Sequence, residues 1–331
     1  MLIEVSHLRK SFRIARRQTG FAGALRSLFR REYVEKFAVD DISFTIAPGE
    51  MVGYVGPNGA GKSTTIKILT GILTPTSGVV KVNGLVPYRQ RMENARQIGV
   101  VFGQRTQLWW DLPTVESFEL LKAIYRIPES RYRRNLTLFT DLLGLGEFLE
   151  TPVRQLSLGQ RMRADLAASL LHEPPILYLD EPTIGLDVVA KEHMRNFIQE
   201  INRERGVTLL LTTHDMEDIE RLCQRMILID HGKVVYDGSI DHIKETYGHD
   251  RILILDLDHE PHGFDLPEEL QSAGVIRLRS EGRRHWIRFD RRKVTAGTII
   301  ERVGRDYTIR DLTLQEPEIE SIIRQIYERG L

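Results

Sequence analysis

The sequence predicts an α/β protein with a parallel sheet buried on both faces, followed by a small α+β domain. Three short apolar runs indicate the sheet, Met51–Val55, 176–179 and Thr208–Thr212, because strands covered on both faces lack polar alternation. Helical periodicity prevails over 115–172, between the first and second of these runs. Beyond Gly238 a new succession of strands and helices begins, which indicates a second domain.

The composition fits a folded protein. The chain has 331 residues, which suits about two domains, and 41% of them are hydrophobic, which excludes a disordered protein. The 46 basic residues balance the 46 acidic residues, so charge gives no reason to expect a nucleic-acid partner. The single cysteine, Cys223, excludes an internal disulfide, fits a reducing compartment and is most simply a small buried apolar residue.

The sequence contains no segment that predicts a membrane anchor. Its first residues have neither a basic leader nor an apolar core of signal-peptide length, and no stretch approaches the ~18 apolar residues that span a bilayer. If the protein serves a membrane, we expect another chain to cross it.

An arginine-rich segment, 13–36, lies between two predicted strands at 2–5 and 42–46. Its apolar residues fall on one helical face: Phe21, Leu25, Leu28, Phe29 and Tyr33. We favour a surface helix that packs on its own domain, since amphipathic helices of globular proteins do so. The alternative is a basic amphipathic element that contacts lipid head groups or a membrane partner.

The first domain, 1–238, is predicted to end in a hairpin, with strands at 226–229 and 233–236. The second domain, 239–331, has elements of its own and no motif for chemistry. Its predicted elements are a strand at 252–257, a hairpin over 275–289, a helix at 295–303, a strand at 309–314 and a closing helix at 316–327.

Residues 56–64 match G-x-x-x-x-G-K-[ST], a loop that binds phosphate, and they lie between a predicted strand and a predicted helix. Glycines let successive backbone N–H groups face one phosphate chain, and the positive end of the following helix adds attraction. We expect Lys62 to reach the outer phosphates and the Ser63 hydroxyl to ligate Mg²⁺, so the loop predicts a nucleoside triphosphate site. Its predicted nucleotide-binding residues are Gly56, Pro57, Asn58, Gly59, Ala60, Gly61, Lys62, Ser63 and Thr64.

Two adjacent carboxylates follow the apolar run 176–179, at the edge of a parallel sheet where ligands bind. We expect Asp180 to hold Mg²⁺ through water and Glu181 to polarise a water molecule aligned with the γ-phosphate. In isolation an Asp-Glu pair is more often a solvated turn, but a phosphate loop in the same chain favours the active-site interpretation. The 117-residue interval 63–179 between loop and carboxylates is too long for a simple connection, so we predict an inserted, mainly helical subdomain over 105–172.

The insertion ends in Leu-Ser-Leu-Gly-Gln at 156–160, which resembles the L-S-G-G-Q signature of ABC (ATP-binding cassette) ATPases. Other motifs follow in that family's order. Gln104 resembles the Q-loop glutamine, residues 185–187 resemble the D-loop, His214 resembles the switch histidine, and Phe12 lies where the family has an aromatic that stacks on adenine. The resemblance covers 1–238.

The resemblance implies a P-loop ABC ATPase core with an antiparallel β subdomain and an inserted helical subdomain, plus the α+β accessory domain. It implies the cofactors ATP and Mg²⁺. The implied catalytic residues are Glu181, His214 and Lys62; the implied metal ligands are Ser63, Gln104 and Asp180; and the further nucleotide contacts are Phe12, Gln104, Ser157, Gly159, Gln160 and Asp187.

Two residues and one segment depart from the family pattern. Leu158 replaces the first signature glycine, but Ser157 and Gly159 keep the hydroxyl and the close backbone approach. Ile184 replaces the usual serine before the D-loop glycine. The long segment after Phe12 leaves two other candidates for the adenine platform, Tyr33 and Phe37, while core packing is the alternative role for Phe12.

Two further residue types have competing interpretations. A histidine is more often structural than catalytic, but His214 follows a strand parallel to the one that bears Glu181, so both side chains can reach one phosphate. Trp109 and Trp110 follow the Q-loop, where the family contacts its membrane subunits. We favour a docking surface for at least one of them over a pair of local core anchors.

The resemblance implies an ATP-hydrolysing subunit of a transporter, in the branch that pairs with ABC type-2 membrane subunits and includes drug exporters. We expect two copies to associate head to tail around two ATP molecules, on the cytoplasmic face of the cell membrane, and to drive separate permease subunits without a nucleic-acid partner. Two alternatives fit less well. A non-transport ABC protein of translation or DNA maintenance normally has two cassettes or long coiled coils, and a non-catalytic regulator would lack Glu181 and His214.

Overall fold

The computed structural model of the protein describes residues 1–15, 33–103, 105–261 and 263–329. Residues 16–32 and Gln104 lie outside this description, so the expectations for the arginine-rich segment and for the Q-loop glutamine stay predictions. The chain divides into two compact units, Met1–Gly238 and Ser239–Leu331.

The first unit contains two sheets and the helices that cover them. The strands up to residue 239 are β1 (Ile3–Ala15), β2 (Tyr33–Ile46), β3 (Met51–Val55), β4 (Ser77–Val82), β5 (Ile98–Phe102), β6 (Ile176–Asp180), β7 (Thr208–Thr212), β8 (Arg225–Asp230) and β9 (Lys233–Ser239). The helices of this unit are α1 (Lys62–Leu69), α2 (Arg91–Ala95), α3 (Thr114–Tyr125), α4 (Glu129–Leu143), α5 (Leu158–Leu170), α6 (Val188–Arg205) and α7 (Met216–Leu222).

The main sheet has the strand order β5-β6-β7-β3-β8-β9, and the pairs from β5 to β8 are parallel. All five residues of β3 and all five of β7 are buried, as expected for strands covered on both faces. The predicted parallel sheet and the predicted α/β class are confirmed. Because parallel strands end at the same edge, the loops that follow β3, β6 and β7 lie side by side.

The second sheet is antiparallel, with the order β2-β1-β4. Its long hairpin pairs Ile3 with Ile46 at one end and Ala15 with Tyr33 at the other. Tyr33 therefore lies in a strand, and its assignment to a helical face of segment 13–36 is wrong. The ladder of cross-strand hydrogen bonds extends the hairpin through both ends of that segment and outweighs the local helical periodicity.

One hydrophobic core joins the two sheets to α1. It contains Ile3 and Ile46 from the antiparallel sheet, Val52 and Tyr178 from the parallel sheet, and Ile66 from α1, all of them fully buried. This packing fixes the start of α1 against the end of β3, where the phosphate loop lies. The helical prediction for 115–172 agrees with α3, α4 and α5.

The second unit has an antiparallel sheet of order β11-β12-β10-β13. Its elements are α8 (Ile240–Tyr247), β10 (Asp250–Leu257), α9 (Glu268–Ser272), β11 (Ile276–Glu281), β12 (Arg284–Asp290), α10 (Ala296–Val303), β13 (Ile309–Gln315) and α11 (Ile319–Arg329). Sequence reasoning missed α8 and α9. It also began the closing helix at 316, but Pro317 disfavours helical geometry at the residue before it, so α11 begins at Ile319. In the described ranges, no helix is long and apolar enough to cross a membrane.

Candidate functional site

The phosphate loop occupies the turn between β3 and α1. Gly61 caps the start of α1 with a φ of 110°, in the left-handed region that favours glycine. A Cβ atom added to Gly61 would lie 2.4 Å from the carbonyl oxygen of Ala38, so glycine is required for space as well. The first N–H groups of α1 have no partner within the helix, which leaves them available to an anion.

Lys62 is 6% exposed, and its ammonium group donates to the loop itself. Nζ lies 2.5 Å from the carbonyl oxygen of Gly56 and 3.2 Å from that of Pro57. An ammonium group has three donors, so these two acceptors leave one donor for a phosphate oxygen. Burial lowers the pKa of Lys62, although the negative charges of Glu181 and Asp180 act in the opposite direction.

Three side chains converge at the carboxyl ends of β6 and β7. Thr212 Oγ1 donates to Asp180 Oδ1 over 2.6 Å, and Ser63 Oγ lies 3.4 Å from the same oxygen. These are hard oxygen donors of the type that Mg²⁺ prefers. The described residues contain no group of three or more His, Cys, Asp or Glu side chains that could hold a metal alone. A Mg²⁺ site here fits the usual pattern of few protein ligands completed by phosphate oxygens and water.

Glu181 and His214 meet beside this cluster. His214 Nε2 lies 2.8 Å from Glu181 Oε1, with side chains 46% and 24% exposed. Glu181 has a φ of 55°, an uncommon value for a residue with a side chain, and its backbone N–H donates to the carbonyl oxygen of Thr212 over 2.9 Å. Thr212 thus positions both carboxylate residues of the β6 end, a role that sequence reasoning missed although a polar residue closes the apolar run of β7.

Two cavities adjoin the phosphate loop. A cavity of about 460 Å³ is lined by Ser63, Asp180 and Glu181 among others. A cavity of about 350 Å³ is lined by loop residues together with Phe12 and Phe37. The structure therefore brings two of the three candidate adenine platforms to the loop, whereas Tyr33 is not among the residues that line either cavity.

The signature residues lie at the start of α5. Ser157 caps the helix: its Oγ accepts from the backbone N–H of Gln160, and the Gln160 side chain accepts from the backbone N–H of Ser157. Asp187 caps α6 in the same way, by accepting from the backbone N–H of Ala190. Gly159 faces Ala190, since an added Cβ would lie 3.6 Å from the Ala190 Cβ.

Signature and phosphate loop are not brought together within one chain. None of Ser157, Gly159 and Gln160 lines either of the two cavities beside the loop. The D-loop capping residue Asp187 does not line them either. The remaining predicted contacts of the nucleotide, apart from Gln104, do meet at the loop.

The family model described as ABC transporter matches residues 39–184. The chain is 34% identical over 209 residues to the ABC transporter ATP-binding protein NatA of Bacillus subtilis (strain 168), over 63% of this chain and 85% of that protein. This chain belongs to the ABC transporter ATP-binding family. It is 28% identical over 304 residues to the linearmycin resistance ATP-binding protein LnrL of the same organism, over 91% of this chain and 97% of LnrL.

Solved structures agree with this assignment. The structure of an ATP-binding subunit of an ABC transporter has a TM-score of 0.62 and 27% identity, over 75% of this chain and 94% of that chain. The cassette MJ0796, solved as a dimer in a post-hydrolysis state bound to ADP and Pi, has a TM-score of 0.60 and 26% identity, over 72% of this chain and 98% of that chain. The predictions of the family, of its fold and of ATP hydrolysis are confirmed.

This ABC ATPase has a contact between the Q-loop region and the signature helix that sequence reasoning missed. Asp165, in α5, accepts from Thr106 Oγ1 over 2.9 Å and from the backbone N–H of Gln107 over 3.0 Å. Burial raises the pKa of Asp165 to about 6, against the opposing effect of these hydrogen bonds and of the charge of Arg161. The sequence did contain a signal for this contact, because an acidic residue within the apolar stretch of α5 indicates a buried polar partner.

The two tryptophans of the ABC ATPase follow that contact. Trp109 is 37% exposed and Trp110 is 50% exposed, so neither is a core anchor. The guanidinium carbon of Arg161 lies 5.6 Å from the centre of the Trp110 ring, a cation–π distance. Cys223, by contrast, is buried as expected.

Proposed function

We propose that this ABC ATPase powers export through separate membrane-spanning subunits and that two copies work as a head-to-tail pair. The export role is supported by relatives named for export or for drug resistance. The Nod factor export ATP-binding protein I of Paraburkholderia xenovorans (strain LB400) is 37% identical over 215 residues, with 63% of this chain and 68% of that protein covered. Besides LnrL, a daunorubicin resistance protein, DrrA3, of Streptomyces coeruleorubidus is 34% identical over 222 residues, with 67% of this chain and 70% of DrrA3 covered. The same relatives support membership of the branch that pairs with ABC type-2 membrane subunits.

The observation that carries the paired arrangement is the separation of signature from phosphate loop within one chain. Ser157 and Gly159 lie at the positive end of a helix, a good place to bind phosphate, yet they line neither cavity beside their own loop. A second copy turned head to tail supplies them to the open face of each loop. MJ0796, similar in fold, is itself dimeric.

Hydrolysis needs a water molecule activated beside the γ-phosphate. Glu181 orients that water and accepts its proton as the water oxygen attacks phosphorus, and the bond to the bridging oxygen breaks to leave ADP. His214 hydrogen-bonds Glu181 and reaches the γ-phosphate, while Lys62 balances the charge of the outer phosphates. Ser63, Asp180 and Gln104 would hold Mg²⁺, which when bound would supply further neutralisation of the phosphate charge.

The remaining roles follow from the same arrangement. The exposed ring of Trp110, with Trp109, docks a membrane-spanning permease subunit at the cytoplasmic face of the membrane. ATP closes the pair and hydrolysis opens it, and this motion passes to the permease. Residues 1–238 are the ATP-binding domain, and residues 239–331 are an accessory domain.

Mixing two inactive variants tests the head-to-tail site. Lys62→Ala removes the phosphate-loop cation, and Gly159→Asp places a negative charge where the signature meets phosphate. The second change is tolerated by the fold because a Cβ has room there and acidic residues suit the first turn of a helix. Each chain alone should lack ATPase activity, whereas the mixture should regain it, since one composite site then combines an intact loop with an intact signature. A mixture as inactive as its parts contradicts the head-to-tail site.

The transport part is tested through the genes beside this one. A polytopic membrane protein encoded next to it should, when co-expressed, bring this chain to the membrane fraction and raise its ATPase activity. The Trp110→Ala variant should lose that recruitment. The proposed transport role is contradicted if this chain stays in the supernatant when it is co-expressed with that membrane protein and its ATPase activity does not change.

A further inference from the structure

A buried acid lies behind the site and touches the loops that carry both catalytic side chains. Asp218, in α7, is fully buried. Its Oδ2 atom accepts from Thr183 Oγ1 over 2.6 Å and from Thr213 Oγ1 over 3.3 Å. Thr183 follows Glu181 by two positions and Thr213 directly precedes His214.

The other oxygen of this carboxylate is anchored to the body of the domain. Arg195, in α6 and 4% exposed, donates to Asp218 Oδ1 from Nε over 2.7 Å, and a terminal guanidinium nitrogen lies 2.6 Å from the same oxygen. Both contacts join a guanidinium to a carboxylate, and such charge-assisted hydrogen bonds are roughly twice as strong as neutral ones. Arg195 also contacts Glu217, which is exposed, so the ion pair continues to the surface.

The two oxygens of Asp218 bind different groups, unlike those of a carboxylate that only neutralises a buried arginine. Oδ1 binds Arg195, whereas Oδ2 accepts one hydroxyl hydrogen bond from each of two loops. Those loops leave neighbouring strands, β6 and β7, and their catalytic side chains end 2.8 Å apart. Asp218 itself lines neither cavity beside the phosphate loop.

We propose that Asp218 is a positioning residue that clamps the loops after β6 and β7 together, so that Glu181 and His214 present a fixed pair to the γ-phosphate. The inference rests on the proposed roles of Glu181 and His214. Because Asp218 lines neither cavity beside the phosphate loop, the clamp acts on the chemical step and leaves nucleotide binding to that loop.

Threonine variants test the clamp without leaving Arg195 unpaired. Thr183→Val deletes the hydroxyl at nearly constant volume, and Thr183→Ser keeps it. In the full-length chain, Thr183→Val should lower kcat about 10- to 100-fold with the KM for ATP little changed, because a small displacement of reacting groups is costly. Thr183→Ser should restore kcat, and Thr213→Val should add to the defect of Thr183→Val.

The matched control is Thr114→Val, which removes another buried threonine hydroxyl, one that donates to the carbonyl oxygen of Thr151 and lines neither cavity beside the phosphate loop. It should lower the melting temperature with kcat unchanged. A Thr183→Val chain with wild-type kcat, or a Thr183→Ser chain as slow as Thr183→Val, overturns the clamp.

Glu181→Gln is assayed in parallel to separate the clamp from the proposed catalytic roles. If Glu181→Gln remains fully active, the proposed catalytic roles are wrong. If Glu181→Gln is inactive and Thr183→Val has wild-type kcat, only the clamp is wrong.

Discussion

His214 Nε2 and Glu181 Oε1 lie 2.8 Å apart although their loops leave different strands. The register of the sheet explains this: Asp180 pairs with Thr212, so the residues that follow them leave the same edge side by side. Glu181 takes a sparsely populated backbone conformation, which costs on the order of 1–3 kcal/mol and persists only where the surroundings enforce it. The pair is therefore held in place by the loops around it.

Glu181→Gln should abolish turnover while ATP binding survives. Glutamine keeps the shape of the side chain but cannot accept the proton of the attacking water, so kcat should fall by at least about 100-fold. Lys62 and Ser63 are untouched, so ATP affinity should change little. Phosphate release and nucleotide titration measure the two effects. Glu93→Gln, which neutralises an exposed acid on α2, is the control. Near-normal phosphate release by Glu181→Gln would remove Glu181 from its role.

Asp180→Asn should weaken the use of Mg²⁺. The change removes the negative charge on which Ser63 and Thr212 converge, so the Mg²⁺ concentration for half-maximal ATPase activity should rise about 10- to 100-fold. Excess Mg²⁺ should recover part of the lost activity. Asp141→Asn, at an exposed position of α4, should titrate like the wild type. An unchanged Mg²⁺ titration in Asp180→Asn argues against a metal site at the end of β6.

The sequence was sufficient for features that depend on local pattern and chain order. The strands β3, β6 and β7 could be recognised as continuous apolar runs because both of their faces are buried. The glycines of the phosphate loop and the carboxylates after β6 follow from their spacing to those runs. His214 was identified through its resemblance to the family's switch histidine, and the structure places it beside Glu181 because parallel strands deliver their following residues to one edge.

The sequence was insufficient where a contact depends on packing between distant segments. The hairpin of β1 and β2 extends to Tyr33 because of cross-strand pairing, which helical periodicity in the same residues conceals. Asp165 meets Gln107, and Asp218 meets Thr183, only after helices have packed against loops. A buried acid in an apolar pattern signals some partner but does not say which one.

Phe12 and Phe37 should both contribute to nucleotide affinity. Each lines the cavity beside the phosphate loop, so each alanine variant should raise the Kd for ATP about 5- to 100-fold, the range for loss of one stacked base. Tripolyphosphate, which has no base, should bind all variants alike. Tyr33→Ala is the matched aromatic control on β2. A large loss in Tyr33→Ala with none in the phenylalanine variants assigns the adenine platform to Tyr33 instead.

Gly185→Ala should disturb the signature through Leu158. Gly185 has a φ of 73°, and a Cβ added there would lie 2.8 Å from Leu158 Cδ2, at the first residue of the signature helix. The backbone conformation alone costs roughly 1–2 kcal/mol for alanine, and the clash adds displacement of Leu158. In a double-mutant cycle, Gly185→Ala should reduce kcat more in the wild-type chain than in a Leu158→Ala chain, which lacks the clashing atom. Strictly additive effects on kcat would show that the two residues act independently.

The free energy of unfolding should depend on pH through the titration of Asp165. Burial raises the pKa of this carboxyl from 3.8 to about 6 in the folded state. Between those pH values the folded chain holds a proton that the unfolded chain releases, so the free energy of unfolding falls as pH rises. Above about pH 6 the carboxyl is charged in both states, and the full destabilisation from burying its charge is present. Asp165→Asn can still accept from Thr106 and Gln107 without carrying a charge, so it lacks this dependence.

The measurement is the difference in melting temperature between the wild type and Asp165→Asn. Lowering the pH from 7 to 5 should stabilise the wild type relative to the variant by about 1.4 kcal/mol, the free energy of one pKa unit, or roughly 3–6 °C. All other titrating groups are common to both chains and cancel in the difference. A difference that stays constant over this range would mean that Asp165 titrates at its ordinary pKa, and the contact between the signature helix and Gln107 would then hold a charged carboxylate throughout.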